Sequence, residues 1–247
     1  MRAHVIRAAE ALRDALSAHR HPVGPATVVL NPLEYAWEPH LRYLERYAPT
    51  GRIGALWIGM NPGPWGMAQT GVPFGSVPMV RDFLGITGAV HAPEDAHPKR
   101  PIEGFACARR EVSGDRLWGA IAEDCGTPER FFDRHFITNY CPLVWQTVTG
   151  ANVTPDKLPA ADMAPVFAAC DAHLLTVLRA TRPSLIIGVG AWSERRARSV
   201  VDASGLDIAV GRILHPSPAS PAANRGWANV VRQQLEDLGH PLARGAS

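Results

Sequence analysis

Apolar residues recur at two different spacings along the chain, and the alternation between the two predicts the fold class. Helical spacing predicts helices over residues 3–18, 39–47, 113–124, 162–179, 192–203 and 222–238. Short apolar runs that end near glycine, proline or asparagine predict strands within residues 52–58, 136–143, 184–190 and 212–214. Because the strands alternate with helices, we expect an α/β fold, a three-layer α/β/α sandwich with a central, mainly parallel four-stranded sheet.

The segments between these elements have weaker patterns. Residues 27–30 form a short β-branched run that Pro32 stops early, and residues 87–105 and 151–158 have no periodicity and are expected to be loops. Ser76 stands where it would cap a short helix over residues 78–84. No repeat, linker or shift in composition divides the chain. We therefore expect a single domain over residues 1–247, with residues 1–20 as an N-terminal helix packed on it.

Composition narrows the class of protein without deciding its function. The chain has 247 residues, of which 46% are hydrophobic, and this is enough for a sizeable core. The formal net charge of +2 neither demands nor excludes a nucleic-acid partner. The N-terminal residues 1–20 lack the apolar stretch of a signal peptide, and no apolar run is long enough to cross a bilayer. We expect a cytoplasmic, bacterial-type protein that is monomeric and not membrane-bound.

The cysteines indicate neither a metal site nor disulfides. Cys107, Cys125, Cys141 and Cys170 contain no CxxC pair, and the chain is not a small secreted one. We expect free buried thiols, no metal and no cofactor. An iron–sulfur cluster is the alternative, although the clustered cysteine spacing usual for such clusters is missing.

Three predicted strands end in residues that can do chemistry. The first is followed by residues 59–75, a stretch with five glycines and three prolines. Asn61 is the first polar side chain of this stretch. A second strand exits at Asn139, and the last exits at His215. Ligands of open α/β sheets bind outside the carboxyl ends of the strands. We therefore expect two amides and an imidazole in one crevice, although each has an ordinary structural role open to it, as a turn former, a cap or a loop histidine.

This set of residues suits the recognition of a nucleobase. A rigid asparagine carboxamide matches the N3–H and O4 of uracil, whereas cytosine reverses both groups. Phe74 offers a ring against which a base can stack, and a histidine can stabilise charge on a departing base. Neither loop contains a carboxylate, which disfavours a glycosidase that uses two of them. The arginines of residues 195–198 are expected on a solvated helix face.

Several motifs together resemble the single-strand-selective monofunctional uracil-DNA glycosylases. Residues 59–75, Gly-Met-Asn-Pro-Gly-Pro-Trp-Gly-Met-Ala-Gln-Thr-Gly-Val-Pro-Phe-Gly, resemble the first motif of that family. The second motif is matched by His215-Pro216-Ser217-Pro218 with Asn224-Arg225-Gly226-Trp227. Shorter matches lie at residues 31–40, 111–114 and 139–143. The resemblance runs from about residue 22 to 239.

The resemblance implies a uracil-DNA glycosylase fold and hydrolysis of the N-glycosidic bond of uracil in DNA, leaving an abasic site. It assigns catalysis to Asn61, which holds the water, and to His215, which stabilises the leaving base. It assigns base binding to four positions: Met60, Gly63, Phe74 and Asn139. The backbone at the first two would line the 5-position, so that 5-hydroxymethyluracil enters as well.

DNA, single- or double-stranded, is the partner that the resemblance implies. Contact with the strand is expected from Ser217, Pro218, Ala219, Ser220 and Arg225. The chain departs from the family pattern at Ala219-Ser220, where members with strong duplex binding have a basic residue. Neither loop contains a lysine that could form a Schiff base and cleave the strand, which agrees with a monofunctional enzyme.

Besides an iron–sulfur uracil glycosylase, two alternatives remain at this point. One is a glycosylase that acts mainly on another deaminated base, hypoxanthine or xanthine. The other is a protein that binds damaged DNA without turnover.

Overall fold

The computed structural model describes residues 1–242. Its helices are α1 (Arg2–Ser17), α2 (Pro32–Tyr35), α3 (Trp37–Tyr47), α4 (Met67–Thr70), α5 (Val112–Cys125), α6 (Pro128–Phe132), α7 (Ala160–Thr181), α8 (Ala191–Ser204) and α9 (Trp227–Asp237). Its strands are β1 (Ala26–Leu30), β2 (Ala55–Gly59), β3 (His135–Asn139), β4 (Val144–Thr147), β5 (Asn152–Val153), β6 (Leu185–Val189) and β7 (Ala209–Ile213).

A four-stranded parallel sheet forms the centre of the molecule, which confirms the predicted fold class. Its strand order is β3-β2-β6-β7, and every neighbouring pair is parallel. All residues of β2 and β6 are buried, because helices cover both faces of the two inner strands. The register pairs Gly59 with Asn139 and Val189 with Ile213, so the four strands end at the same edge.

A second, antiparallel sheet of three strands was not predicted. Its order is β1-β4-β5, with Leu30 opposite Val144 and Trp145 opposite Val153. The apolar run over residues 136–143 belongs to β3 only as far as Asn139, and Pro142 separates it from β4. Residues 151–158, expected to be a loop, contain β5 and a 3₁₀ turn over Pro155–Lys157. A two-residue strand is too short for a periodic pattern to reveal it.

The expected N-terminal helix is α1, whose apolar stripe packs against α7 and α3. Val5, Ala9, Leu12 and Leu16 form that stripe and are buried. Contrary to the sequence expectation, α7 is long and apolar enough to cross a membrane, judged by length and composition within residues 1–242. In the fold, a single face of α7 is buried, against α1 and α8.

Two helix termini differ from the sequence prediction. Ser76 does not cap the following helical turn, since its hydroxyl donates to Asp115 Oδ1 over 2.6 Å, and that turn, Met79–Phe83, is a π-helix. The helix predicted from residue 222 is interrupted at Gly226, where φ is +109°. A 3₁₀ turn over Ala223–Arg225 precedes the break, and α9 follows it.

Candidate active site

The carboxyl ends of the parallel strands open into one cavity of about 380 Å³. The structure brings together most of the residues that the sequence singled out. Its lining includes Met60, Asn61, Gly63, Phe74, Asn139, His215, Ser217 and Pro218. The two amides and the imidazole thus share one crevice, as strand topology led us to expect.

A buried glutamine fixes the loop that leaves β2. Gln69 is fully buried, and its Nε2 donates to the carbonyls of Pro64 and Pro101, each over 3.0 Å. Its Oε1 accepts the backbone N–H groups of Glu103 and Gly104. A side chain with all these bonds satisfied inside the protein holds the loop to residues 101–104 with little freedom.

Residues 31–40 support the same loop from its other side. The Tyr35 hydroxyl donates to the Ala68 carbonyl over 2.7 Å, and His40 Nδ1 lies 2.8 Å from the Gly71 carbonyl. Because a carbonyl only accepts, His40 carries its proton on Nδ1. Burial lowers the pKa of His40 to about 4, and the bond to Gly71 opposes this shift only in part. These contacts explain why the residue 31–40 motif accompanies the motif of residues 59–75.

Asn61 presents an acceptor to the cavity. Its Nδ2 donates to the carbonyls of Leu143, over 3.3 Å, and Pro62, over 3.4 Å. Both partners are acceptors, so they fix the orientation of the carboxamide and direct its NH₂ group into the protein. The Oδ1 atom accepts no bond from the residues that the structure describes. It is therefore available to accept a hydrogen from a water in the cavity.

Phe74 and Asn139 meet at the end of β2. A Cβ built on Gly59 would lie 2.2 Å from Asn139 Oδ1 and 2.6 Å from Phe74 Cζ, so only glycine leaves room for both groups. Phe74 adopts a positive φ of 54°, which is uncommon for a residue with a side chain. Asn139 is buried, and its Nδ2 lies 3.2 Å from Met67 Sδ, an atom that can only accept. The ring and the amide are thus held ready for a planar ligand.

His215 is held in one tautomer by its own loop. The Ser217 backbone N–H donates to His215 Nδ1 over 3.0 Å, so the neutral ring carries its hydrogen on Nε2. Burial lowers the pKa of His215 below its ordinary value of 6.5. At neutral pH the imidazole is therefore uncharged and acts as a hydrogen-bond donor through Nε2.

The remaining predicted DNA-contacting residues lie outside the cavity lining. Ala219 and Arg225 are exposed and Ser220 is half-buried, on the loop that follows His215. Arg116, from α5, ties this loop to the core by donating to the Pro216 carbonyl over 3.0 Å and to Asn224 Oδ1 over 2.8 Å. Arg116 was not singled out from the sequence, because a lone arginine on a helix gives no signal of a distant partner.

Sequence reasoning also missed four residues that line the cavity: Glu111, Ser113, Asn152 and Thr154. Glu111 and Ser113 belong to the short match at residues 111–114, which was the one signal that could have placed them. Asn152 and Thr154 flank Val153 of β5 and gave no signal. Glu111 supplies a carboxyl group that neither of the two strand-exit loops contains.

The cysteines form no metal site in the described part of the chain. All four are free and buried. No group of three or more His, Cys, Asp or Glu side chains within residues 1–242 is arranged to hold a metal ion. The iron–sulfur alternative therefore has no ligand set among these residues.

Comparison with known proteins agrees with this geometry. Residues 46–238 match the family described as the Uracil DNA glycosylase superfamily. The chain is 46% identical over 215 residues to a single-strand selective monofunctional uracil-DNA glycosylase of Rattus norvegicus, covering 87% of this chain and 77% of that protein. It is 47% identical over 212 residues to the Bos taurus protein of the same name, covering 86% and 78%.

A solved structure supports the fold alone. The crystal structure of wild-type Pedobacter heparinus SMUG2 superposes with a TM-score of 0.67 and covers 92% of this chain and 97% of that one. The sequence identity between the two is 15%.

Proposed function

This chain belongs to the uracil DNA glycosylase superfamily, and we propose that its cavity hydrolyses the N-glycosidic bond of uracil, and of 5-hydroxymethyluracil, in single- and double-stranded DNA. Uracil excision follows from the family and from the relatives named as monofunctional uracil-DNA glycosylases. The observation that supports the proposal best is the shared cavity of Asn61, Phe74, Asn139 and His215. A protein that only bound DNA would have no use for the free acceptor of Asn61 Oδ1 or for the Nε2–H donor of His215.

Each edge of a bound uracil finds a matching group. The base must first leave the DNA stack, which costs less from a single strand than from a duplex. Its ring then stacks on Phe74, while Asn139 Oδ1 accepts from N3–H and Nδ2 donates to O4. Cytosine would face two mismatches at this amide, and such mismatches can reject an analogue by roughly 10⁴–10⁵-fold.

Hydrolysis then separates the base from the sugar. The bond between N1 and C1′ breaks, and its electron pair leaves on the base, so the sugar gains oxocarbenium character. His215 Nε2–H stabilises the charge that develops on O2, and single donors of this kind are worth roughly 2.7–4 kcal/mol. Asn61 Oδ1 orients the water whose oxygen bonds to C1′, and the proton that this water loses passes through solvent and neutralises the released uracil anion.

The reaction ends at an abasic site because the cavity offers no amine nucleophile. Among its described lining residues there is no lysine that could form a Schiff base and cleave the strand. We propose further that the protein works as a monomer in the cytoplasm, with Ser217, Pro218, Ala219, Ser220 and Arg225 against the DNA backbone. Sedimentation with and without DNA measures the oligomeric state.

A substrate panel tests the proposed activity. Single- and double-stranded oligonucleotides that carry uracil, 5-hydroxymethyluracil, hypoxanthine or xanthine are incubated with the protein at fixed salt, because DNA binding depends on salt. We expect excision of uracil and 5-hydroxymethyluracil, with strands cut only after alkali treatment. Faster release of hypoxanthine or xanthine than of uracil would reassign the substrate. Strand cleavage without alkali would contradict a monofunctional enzyme.

A further inference from the structure

A carboxyl group lies in the base cavity although it comes from neither strand-exit loop. Glu111 directly precedes α5 and lines the cavity with the four side chains to which we assign binding and cleavage. A Cβ built on Gly63 would lie 2.6 Å from Glu111 Oε2, and one built on Gly66 would lie 2.8 Å from Glu111 Cγ. Glu111 therefore occupies the space that side chains at positions 63 and 66 would fill.

This carboxyl has no ionic partner within the described residues. No lysine, arginine or histidine nitrogen of residues 1–242 forms a salt bridge with Glu111. Burial raises the pKa of Glu111, and the nearby backbone N–H groups of Ser113 and Trp65 oppose the rise. A partly buried carboxyl without a neighbouring cation is stabilised by hydrogen bonds. A ligand that removes those hydrogen bonds without replacing them therefore binds at a cost in free energy.

The edges of the base decide what faces Glu111. When Asn139 binds N3–H and O4, and His215 lies beside O2, the remaining edge of the ring carries C5 and C6. Among the described lining residues not yet assigned to an edge, Glu111 is the one carboxyl, and it stands with Met67, Ser113, Asn152 and Thr154. The family resemblance places the backbone of Met60 and Gly63 beside C5, and the carboxyl of Glu111 packs against Gly63.

Resting on the proposed function, we propose that Glu111 determines specificity at C5: its carboxyl hydrogen-bonds a donor there, such as hydroxymethyl, and disfavours the methyl of thymine. Steric exclusion cannot account for such a choice, because hydroxymethyl is larger than methyl. A methyl group would displace water from the carboxyl and return no hydrogen bond. Sites built around a polar group reject analogues that leave that group unpaired.

Two substitutions of Glu111 test this assignment. Glu111→Met removes the polar head and keeps a chain of similar length, whereas Glu111→Gln keeps a weaker, neutral acceptor. Glu123→Gln, at an exposed position of α5 outside the cavity, is the matched control. The measured quantity is kcat/KM on single-stranded oligonucleotides with uracil, 5-hydroxymethyluracil or thymine, with thermal unfolding as a check on folding.

We expect Glu111→Met to lower the ratio of 5-hydroxymethyluracil to uracil excision by about tenfold or more and to raise that of thymine to uracil. Glu111→Gln should lower the first ratio by about threefold, since a neutral acceptor binds more weakly. Glu123→Gln should keep both ratios. If Glu111→Met does not fold, the isosteric Gln variant decides.

Unchanged ratios in the folded variants would overturn the role of Glu111 and leave the proposed function intact. Wild-type protein that excises uracil but not 5-hydroxymethyluracil would overturn the role of Glu111 and the 5-hydroxymethyluracil part of the proposed function, and would leave uracil excision intact. Wild-type protein that excises no uracil would overturn the proposed function, and this inference with it.

Discussion

The two loops that meet at the cavity are held in opposite ways. Residues 59–75 are fixed by side chains from elsewhere in the chain, including the buried Gln69, and most of the segment is inaccessible to solvent. Residues 215–226 largely face solvent, and most of their hydrogen bonds are local, such as Asn224 Nδ2 to the Pro218 carbonyl. Arg116 ties them to α5, and the buried Ala223 packs against the core.

This difference separates two tasks. The first loop is continuous with the core, so its shape is set before a base arrives and base selection is part of the fold. The second loop is anchored near His215 and presents its remainder to the solvent, where the DNA strand would run. Substitutions in the first loop or its supports should alter stability and chemistry, whereas those beyond His215 should alter DNA affinity.

The largest effect is expected at Asn61. Asn61→Ala removes the acceptor for the attacking water, and we expect kcat to fall by about 10³-fold. Affinity for uracil-containing DNA, measured by fluorescence anisotropy, should stay within about threefold of the wild type. An equal loss of affinity and rate would show that Asn61 binds the substrate and does not position water.

His215 begins the second loop, yet it acts on the base together with residues of the first loop. Its substitution should therefore affect the chemistry and not DNA affinity alone. His215→Ala should lower the single-turnover rate by about 10²–10³-fold. Because burial lowers the pKa of His215, the ring of the wild type takes up its second proton at a lower pH than an ordinary histidine. We expect any fall of the wild-type rate that His215 causes to have its midpoint below pH 6.5, and a midpoint at or above 6.5 would contradict a neutral donor.

The titration of His40, which binds the first loop at the Gly71 carbonyl, shows whether this contact contributes to the free energy of unfolding of the whole protein. Its pKa is about 4 in the folded state and 6.5 as an ordinary histidine, so only the unfolded state gains this proton between these values. The free energy of unfolding should therefore fall as the pH drops from 6.5 to 4, by up to about 3 kcal/mol. His40→Gln should lose this part of the pH dependence in urea titrations. The same slope in both proteins would assign it to other groups.

Gly59→Ala probes the contact between Phe74 and Asn139. The added methyl would overlap Asn139 Oδ1 and Phe74 Cζ, and overpacking of this kind costs about 1–3 kcal/mol. We expect a lower melting temperature and a uracil kcat/KM reduced by about tenfold or more. Gly119→Ala on α5 meets nothing within 4 Å and is the control. Wild-type kinetics in Gly59→Ala would mean that the base binds elsewhere.

The smallest effect is expected in the exposed loop. Ala219→Arg introduces the basic residue that family members with strong duplex binding have at this position. It should strengthen duplex binding by a few-fold and release one more counterion from the DNA. The slope of log K against log salt should steepen by about 0.9. Excision from single strands and the melting temperature should not change. An unchanged slope would place position 219 away from the phosphates.

Local sequence patterns were enough to predict the main helices and strands. They failed where a strand or a contact depends on residues far apart in the sequence. The parallel sheet and the positions of Asn61, Asn139 and His215 at its edge followed from apolar runs and their breaks. The antiparallel sheet did not, because β4 and β5 are short and are ordered by pairing, β4 with β1 and β5 with β4. Roles within the cavity came from the family resemblance, since a single asparagine or histidine has many ordinary uses.

What the sequence by itself determined is the set of strands that end in reactive residues, because hydrophobic runs and Gly/Pro breaks are properties of neighbouring residues. Only the tertiary structure decided which groups complete the cavity. Glu111 enters it beside Gly63, and Met67 orients the amide of Asn139. These relations join residues tens of positions apart, and packing against the folded core creates them; no local pattern encodes them.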